Sequence, residues 1–279
     1  MGYEIRTMPL AEVEKTLDWA AREGWNPGLH DAECFYAIDP EGFFMGVLDD
    51  TPIARAAVLN YDDTFAFAGL YIVDPQYRAH GYGMALVEAI IPHAGDRNIG
   101  IDGVVEMQAK YELLGYRFAH RDLRYGFTPE ETKPRDPNIV PVAEIPFGDL
   151  AAYDRQHFPA PREAFLQRWV APENGVALGY VADGELRGYG VIRRCREGFK
   201  LAPLFADTPD IAEALFDALS NHGQGAAITI DVPEPNTAGL KLVQARGLSP
   251  VFECARMYLK GDPELPLASI FGLTSLEAG

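Results

Sequence analysis

The residues that point most directly to chemistry lie in the segment GLYIVDPQYRAHGYGMALVEAI, where an apolar strand pattern leads into a turn and then a helical pattern. The turn carries Arg78-x-x-Gly81-x-Gly83 at the start of the helix. Glycines let the backbone approach a ligand closely, and the first N–H groups of a helix are unsatisfied and positively polarised. Arg78 can add a charge-assisted hydrogen bond. The segment therefore predicts a cradle for a pyrophosphate group.

Two other classes of phosphate-binding loop do not fit this segment. A Walker loop needs Gly-Lys-Ser/Thr, which is not found here, and a dinucleotide-binding loop needs a third Gly or Ala where this chain has Leu86. A second motif, YELLGY, begins at Tyr111, which is 28 residues after Gly83. Together the two motifs resemble the GNAT acetyltransferase superfamily, whose signature Q/R-x-x-G-x-G/A is followed by a Y-E-x-x-G-F element.

The resemblance implies a cosubstrate, acetyl-CoA, and a direct attack of an amine on its thioester. In the family, the central strand splays from its neighbour and pairs with pantetheine, and the signature loop holds the pyrophosphate. Tyr111 would then act as the general acid that protonates the departing thiolate. Carried onto this chain, the cofactor-binding residues are Leu70, Tyr71, Ile72, Val73, Arg78, Ala79, His80, Gly81, Tyr82, Gly83 and Met84.

The sequence does not identify the group that removes the proton from the acceptor amine. The central strand, AFAGLYIV, has no carboxylate where many family members keep a base, so this role falls to Asp31, Glu33, Glu106 or a chain of water molecules.

The acceptor site is expected near EGWNPGLHDAECF, because this region covers it in the family. Trp25, Asn26 and Asp31 are the candidate substrate-binding residues, although structural capping by Asn26 and Asp31 is an equally good interpretation. Asp102, in GIDGV, is either a functional residue or a turn residue before Val104, and we favour the turn.

Alternating helix and strand patterns must position these groups. Apolar periodicity predicts a helix over 10–22, a hairpin from strands 43–48 and 53–59, and a strand over 65–73. The remaining elements of the first half are a helix near 81–91, a strand near 99–105, a helix near 108–114 and a strand through 118–127.

The second half repeats this layout. FFMGVLDDTPIARAAVL begins at Phe43, and VALGYVADGELRGYGVI begins at Val176, about 133 residues later. Two further segments keep nearly the same offset, which indicates duplication of one α/β unit. The proline- and charge-rich stretch TPEETKPRDPN, residues 128–138, is typical of a connector. We therefore predict an α/β fold with two tandem GNAT-like domains, 1–128 and 139–279, each a central mixed β-sheet flanked by helices.

The second copy departs from the family pattern. Its loop, ADTPDIAEALF, lacks the arginine and both glycines, and Val243 stands where the tyrosine would be. The family often has Asn seven residues before that tyrosine; the second copy keeps it as Asn236, whereas the first copy has Val104. We therefore predict that only the first domain binds the cosubstrate.

The amino-acid composition argues against several classes of binding partner. Lys and Arg number 24 against 41 Asp and Glu, and the resulting charge of -17 would repel nucleic acids and anionic lipids and attract cationic amines. The six histidines have no metal-binding spacing, and the three cysteines form no disulfide framework. No apolar run approaches membrane-spanning length, and MGYEIR has no signal-like core. We expect a cytoplasmic protein with no metal and no membrane partner.

The sequence thus predicts an N-acetyltransferase that moves an acetyl group from acetyl-CoA to a primary amine of a small molecule or peptide. One alternative is a non-catalytic sensor or regulatory module that binds acyl-CoA and transfers nothing, and another is an acyltransferase that uses a longer acyl chain. Tyr111 favours the enzyme.

Overall fold

Strands and helices alternate along most of the chain in the computed structural model, which describes residues 2–279. The strands are β1 (Tyr3–Thr7), β2 (Phe43–Leu48), β3 (Thr51–Asn60), β4 (Phe65–Val73), β5 (Asn98–Val104), β6 (Arg117–Phe127), β7 (Ile139–Pro141), β8 (Gly175–Ala182), β9 (Glu185–Arg194), β10 (Phe199–Ala206), β11 (Ile228–Pro233), β12 (Ser249–Tyr258) and β13 (Ile270–Gly272). The helices are α1 (Leu10–Arg22), α2 (Asp31–Tyr36), α3 (Tyr82–Ile90), α4 (Gln108–Leu113), α5 (Phe147–Arg155), α6 (Glu163–Trp169), α7 (Pro209–Ser220) and α8 (Thr237–Ala245).

Both hairpins expected from the sequence are present, and each is closed by a turn with two consecutive positive φ angles. β2 and β3 are joined at Asp49 and Asp50, whose φ angles are 48° and 63°. β8 and β9 are joined at Asp183 and Gly184, with φ angles of 54° and 78°. Two consecutive positive φ values are typical of the tight turn whose twist matches paired strands, and Asp and Gly tolerate that conformation.

The strands form one mixed sheet in which the two halves exchange a strand. Its order is β1-β2-β3-β4-β5-β12-β6-β11-β10-β9-β8-β7, with β13 beside β10. β12, from the second half, lies between β5 and β6 of the first half, and β6 pairs in turn with β11. Each half therefore contributes its last long strand to the sheet of the other.

The largest apolar cluster lies between the two halves. It joins side chains of α1 and α2, such as Leu17 and Phe35, to aromatic side chains of the second half, such as Phe165, Trp169 and Tyr189. The rings of Phe35 and Trp169 stack with centroids 5.9 Å apart. Because this burial needs both halves, the sequence-similar units pack as one body around it.

Residues 273–279 are also buried between the halves. Tyr61 donates a hydrogen bond to the carbonyl of Ala278 at 2.6 Å. A Cβ on Gly69 of β4 would lie 2.0 Å from the carbonyl oxygen of Glu277, so only glycine permits this approach. This C-terminal segment thus packs against the central strand of the first half.

The connector predicted at 128–138 contains no helix or strand. In the first half, β1 and α2 were not predicted, and α2 occupies part of the region expected to cover the acceptor site. The interpretation of Asp102 as a turn residue was wrong, because it lies within β5.

Within residues 2–279, no helix combines the length and apolar character needed to cross a membrane.

Candidate active site

The central feature of the site is a gap between β4 and β5. These parallel strands pair only from Phe65 to Phe67 with Asn98 to Gly100, after which each continues without the other. We call the gap between residues 68–73 and 101–104 the β4–β5 wedge. Beside it, Leu70 adopts a φ of 53°, and the register between β3 and β4 shifts there. This β-bulge turns the edge of β4 and leaves main-chain groups facing the wedge.

The signature loop lies at the open end of the wedge and leads into α3. Gly81 is the N-cap of α3 with a φ of 87°, and a Cβ there would meet no atom of residues 2–279 within 4 Å. No side chain of the described residues caps this helix. Its first N–H groups therefore have no side-chain acceptor among the described residues, which leaves them available to bind an anion.

Gly83 is required for a different reason. A Cβ at this position would lie 2.1 Å from the hydroxyl oxygen of Tyr71 and 2.9 Å from Val73 Cγ2. The missing side chain lets the first turn of α3 lie directly on β4 beside the wedge. The loop and the strand are thus fixed relative to each other.

Arg78 is held at the same end. Its Nε donates to the carbonyl of Val73 at 2.8 Å, and its Nη2 donates to Glu23 at 2.5 Å. The side chain is 48% exposed, so this ion pair is screened by solvent and contributes little to stability. Nη1 has no partner in the part of the chain that is described and is free to contact an anion.

Other residues of the predicted loop also lie at the open end of the wedge. Ala79 has a φ of 64°, His80 Nδ1 lies 2.8 Å from the carbonyl oxygen of Arg78, and the carbonyl of Tyr82 accepts a hydrogen bond from Tyr3 at 3.0 Å. Met84 is 46% exposed, which is high for an apolar side chain. Ile72 is instead buried in the core on the other face of β4.

Tyr111 lies on α4 against the far edge of the wedge. Its ring packs on Gly103 of β5, where a Cβ would come within 2.4 Å of it. Burial raises the pKa of Tyr111 to about 12, and the nearby Tyr71 and Cys254 add to the shift. The phenol therefore keeps its proton at neutral pH, as a general acid must.

Asp31 occupies a place that its predicted catalytic and substrate-binding roles do not fit. Its two carboxylate oxygens accept hydrogen bonds from Arg193 Nε and Nη2 at 2.8 and 3.0 Å, and Oδ2 also accepts from the N–H of Gly28 at 2.8 Å. Burial alone would raise the pKa of Asp31, but the Arg193 charge and these hydrogen bonds lower it. A buried carboxylate with both oxygens engaged is a poor proton acceptor, so we interpret Asp31 as a link between the halves.

The remaining predicted catalytic and substrate-binding residues lie either where the two halves meet or on the surface. Asn26 exchanges two hydrogen bonds with the main chain of Glu197, at 2.8 and 3.0 Å, and the carbonyl of Trp25 accepts from Arg124 at 2.8 Å. Asn26 thus connects the halves, whereas Trp25 contacts β6, the first-half strand that pairs with β11 of the second half. Glu33 is exposed beside a cavity of about 280 Å³ between α2 and α6. Glu106 is exposed in the turn just beyond β5, at the open end of the wedge.

The corresponding loop of the second half has a different structure. Thr208 is the N-cap of α7, and its hydroxyl accepts the N–H of Ile211 at 3.3 Å. That helix end is therefore satisfied by its own side chain. Asn236 caps α8 by accepting the N–H of Gly239 at 2.8 Å, and Val243 is fully buried. The second half uses for packing the positions that form the wedge site in the first half.

One group of charged residues beside the wedge was not predicted. Arg256 of β12 donates to Asp102 of β5 at 2.5 and 2.7 Å, and Asp122 and His120 of β6 complete the group. The signal in the sequence was weak, because the four residues come from three strands that pair only after the exchange. Within residues 2–279, no three His, Cys, Asp or Glu side chains are arranged to hold a metal ion.

A splayed central strand, a glycine-rich helix start and a tyrosine across the wedge define the class, and the chain belongs to the GNAT acetyltransferase family. Models of the acetyltransferase (GNAT) family and of the acetyltransferase (GNAT) domain match residues 10–113 and 150–272. A Pseudoalteromonas protein named holothin acyltransferase is 31% identical over 97% of this chain and 92% of its own length. The chain is an acyltransferase of this family.

Two solved structures have the same fold. A Pyrococcus horikoshii protein proposed to be an acetyltransferase superposes with a TM-score of 0.84 over 100% of this chain and 96% of its own, at 22% identity. A tandem GNAT protein from the clavulanic acid biosynthesis pathway covers 92% of this chain and 98% of its own, with a TM-score of 0.66 and 12% identity. The predicted tandem mixed-sheet fold is thereby confirmed.

Proposed function

We propose that the protein is an N-acetyltransferase that transfers the acetyl group of acetyl-CoA to a primary amine of a small molecule or peptide. The observation that carries the proposal is the β4–β5 wedge, with an uncapped helix start at its open end and Tyr111 on its far edge. The second half offers no such combination, because its helix start is capped by Thr208.

The residues around the wedge fit acetyl-CoA. The main chain of β4 from Leu70 to Val73 has no partner strand on the wedge side and can hydrogen-bond the pantetheine amides. The uncapped N–H groups of α3, together with Arg78 Nη1, can hold the pyrophosphate. When bound, acetyl-CoA supplies a thioester carbon that an amine can attack.

Tyr111 would hold the proton that the departing sulfur needs. Its pKa of about 12 keeps the phenol protonated throughout the neutral range. The ring is fixed by Gly103 and by an edge contact to Tyr116, with centroids 6.4 Å apart. A fixed donor spares the cost of orienting solvent in the reaction.

The acceptor is expected to be cationic in solution. The chain carries a formal charge of -17, which attracts ammonium groups and repels carboxylates. The name of the Pseudoalteromonas relative indicates that holothin is its acceptor, so this compound belongs among the candidates to be tested.

The proposal is tested by incubating the protein with acetyl-CoA and a panel of polyamines, amino acids, lysine peptides, simple amines and holothin, with detection of free CoA. We expect thiol release that depends on one class of amine. If calorimetry detects acetyl-CoA binding but no amine releases CoA, the protein is a sensor and the proposed activity is wrong.

A variant of Arg78 tests the cosubstrate site. Arg78→Ala should weaken acetyl-CoA binding by about 1.5–3 kcal/mol, since a charged hydrogen bond to the pyrophosphate is lost. Titration calorimetry should also find one site per chain, because only the first loop has an uncapped helix start.

The matched control is Arg6→Ala. Arg6 is 47% exposed and pairs with Glu4, much as the 48% exposed Arg78 pairs with Glu23, but it lies on β1. We expect this variant to bind acetyl-CoA as the wild type does. Equal affinity in wild type and Arg78→Ala would refute the assigned loop.

Salt should weaken the preference for a cationic acceptor amine. For a cationic amine, kcat/KM should fall as ionic strength rises, because the Debye length shrinks to about 8–10 Å near physiological salt. Specificity constants measured for a cationic and an anionic amine across a salt series test this. Equal values that do not respond to salt would contradict the expected charge preference.

A further inference from the structure

The cavity of about 280 Å³ lies where α2 of the first half meets α6 and β9 of the second half, and we call it the α2–α6 cavity. Its volume is close to the lower end of the range for small-molecule pockets, about 300–1,000 Å³. None of its lining residues belongs to the β4–β5 wedge or to the signature loop. It is therefore a second place, separate from the cosubstrate site, where a small ligand can bind between the halves.

Arg193 of β9 places a buried guanidinium group on the wall of this cavity. Asp31 accepts hydrogen bonds from its Nε and Nη2 at 2.8 and 3.0 Å, and the ring of Trp169 covers one face of the group, with its centroid 4.1 Å away. The third nitrogen, Nη1, is buried and donates to no described residue. A guanidinium is planar, and Asp31 takes the edge formed by Nε and Nη2. Nη1 is therefore the donor that is left for an occupant of the cavity.

The chemistry of this donor selects the kind of acceptor that suits it. A buried N–H group without an acceptor costs free energy, and the strongest hydrogen bonds of a guanidinium are those to carboxylate and phosphate oxygens. A phosphate has several charged oxygens and needs several donors around it, whereas Arg193 has one nitrogen left. A carboxylate needs fewer donors and fits a cavity of this volume.

The charges around the cavity are balanced, although the chain as a whole is strongly negative. Arg168 and Arg194 line the cavity and are exposed, and neither pairs with a carboxylate of residues 2–279: Arg168 donates to a main-chain carbonyl, and Arg194 lies over an aromatic ring. Glu33 and Glu173 are the exposed carboxylates of the lining, and Glu173 lies 3.4 Å from His30. Two positive and two negative groups at the rim leave no local excess of negative charge to repel a small anion.

We propose that the α2–α6 cavity binds a small molecule that carries a carboxylate, with Arg193 Nη1 donating to one of the carboxylate oxygens. The ligand contacts both halves, since Arg193 belongs to the second half and Glu33 and Cys34 to the first. Two kinds of molecule share this chemistry: a plain carboxylate, and an amino acid whose ammonium group pairs with Glu33. The inference concerns a site apart from the wedge and does not depend on the proposed acetyl transfer.

Arg162 provides a matched control, because its surroundings repeat those of Arg193. Asp154 accepts from its Nε and Nη2 at 2.8 and 2.7 Å, the ring centroid of Phe158 lies 4.1 Å from its guanidinium, and its Nη1 donates to no described residue. Arg162 does not line the α2–α6 cavity. Arg193→Lys and Arg162→Lys therefore both keep a positive charge beside a buried carboxylate and remove a guanidinium, but only Arg193→Lys changes the cavity.

The experiment is titration calorimetry of the intact protein at fixed ionic strength with butyrate, 2-aminobutyrate and butylamine, which share one carbon chain and differ in their charged groups. We expect 2-aminobutyrate, or both carboxylates, to bind. Arg193→Lys should weaken that binding by at least about 10-fold, because a charged hydrogen bond is lost, and Arg162→Lys should bind as the wild type does. Butylamine lacks the carboxylate, so any binding of it should be the same in Arg193→Lys as in the wild type.

Ala171→Trp keeps the test valid if Arg193→Lys does not fold. Ala171 is exposed and lines the cavity, so an indole there can fill the opening without entering the core. Its control is Ala164→Trp, at an exposed position of α6 that does not line the cavity. Ala171→Trp should lose carboxylate binding and Ala164→Trp should keep it. The proposal is overturned if neither carboxylate binds the wild type, or if Ala171→Trp and Arg193→Lys bind carboxylates as tightly as the wild type.

Discussion

Tyr111→Phe is expected to lower turnover by about 10²–10⁴-fold while acetyl-CoA affinity and folding stay nearly unchanged, because a positioned general acid contributes a factor of this size. Phenylalanine keeps the ring that packs on Gly103 and removes only the hydroxyl. Steady-state kinetics, calorimetry and thermal melting on one preparation separate the lost proton donor from a packing defect.

Tyr116→Phe is the matched control, because this ring contacts Tyr111 edge to face and is likewise mostly buried. It should retain the wild-type rate. Slow product release can hide a chemical defect, so single-turnover measurements belong to the test. If the chemical step in Tyr111→Phe runs at the wild-type rate, the tyrosine is not the acid.

Asp31→Asn is expected to destabilise the fold by about 3–5 kcal/mol, because it leaves the buried Arg193 without a counter-charge. Denaturant unfolding measures this loss. Asp18→Asn is the control: it breaks the Asp18–Arg196 pair, which also joins the halves but has 57% and 28% exposed partners, and should cost about 1 kcal/mol or less. A stable Asp31→Asn variant with lost activity would restore Asp31 as a catalytic candidate.

The same pair has a defined pH dependence. The pKa of Asp31 is lowered in the folded protein, so its stabilising contribution is complete above the unfolded value, about 3.9, and is lost as the pH falls through the folded pKa. The free energy of unfolding of Asp31→Asn should therefore decline less than that of the wild type on acidification.

Local patterns were enough to predict much of the first half. The periodicity over 10–22 and the apolar run over 65–73 gave α1 and β4 with their observed bounds. The glycine-rich helix start followed from a short motif, because each glycine there has a local reason: Gly81 has a positive φ and Gly83 lies against Tyr71. The wedge was expected only from the family resemblance.

What the sequence did not reveal depends on contacts across long separations. Asp31 pairs with Arg193, which is 162 residues away in the sequence, and Asp102 pairs with Arg256, which is 154 residues away. Sequence spacing could therefore predict neither ion pair. The turn interpretation of Asp102 failed for a similar reason, because Gly103 beside it is needed in β5 to admit the ring of Tyr111 from α4. The strand exchange that brings these partners together is a property of the folded pair of halves.

The most direct test of the central claim is mass spectrometry of both protein and acceptor after incubation with acetyl-CoA, first alone and then with an amine from the panel. We predict one acetyl group on the amine, an unmodified protein mass in both samples, and product formation slowed by at least about 100-fold when Arg78→Ala and Tyr111→Phe are combined. An acetylated protein would contradict direct attack, and bound acetyl-CoA with no acetylated amine would contradict an acetyltransferase.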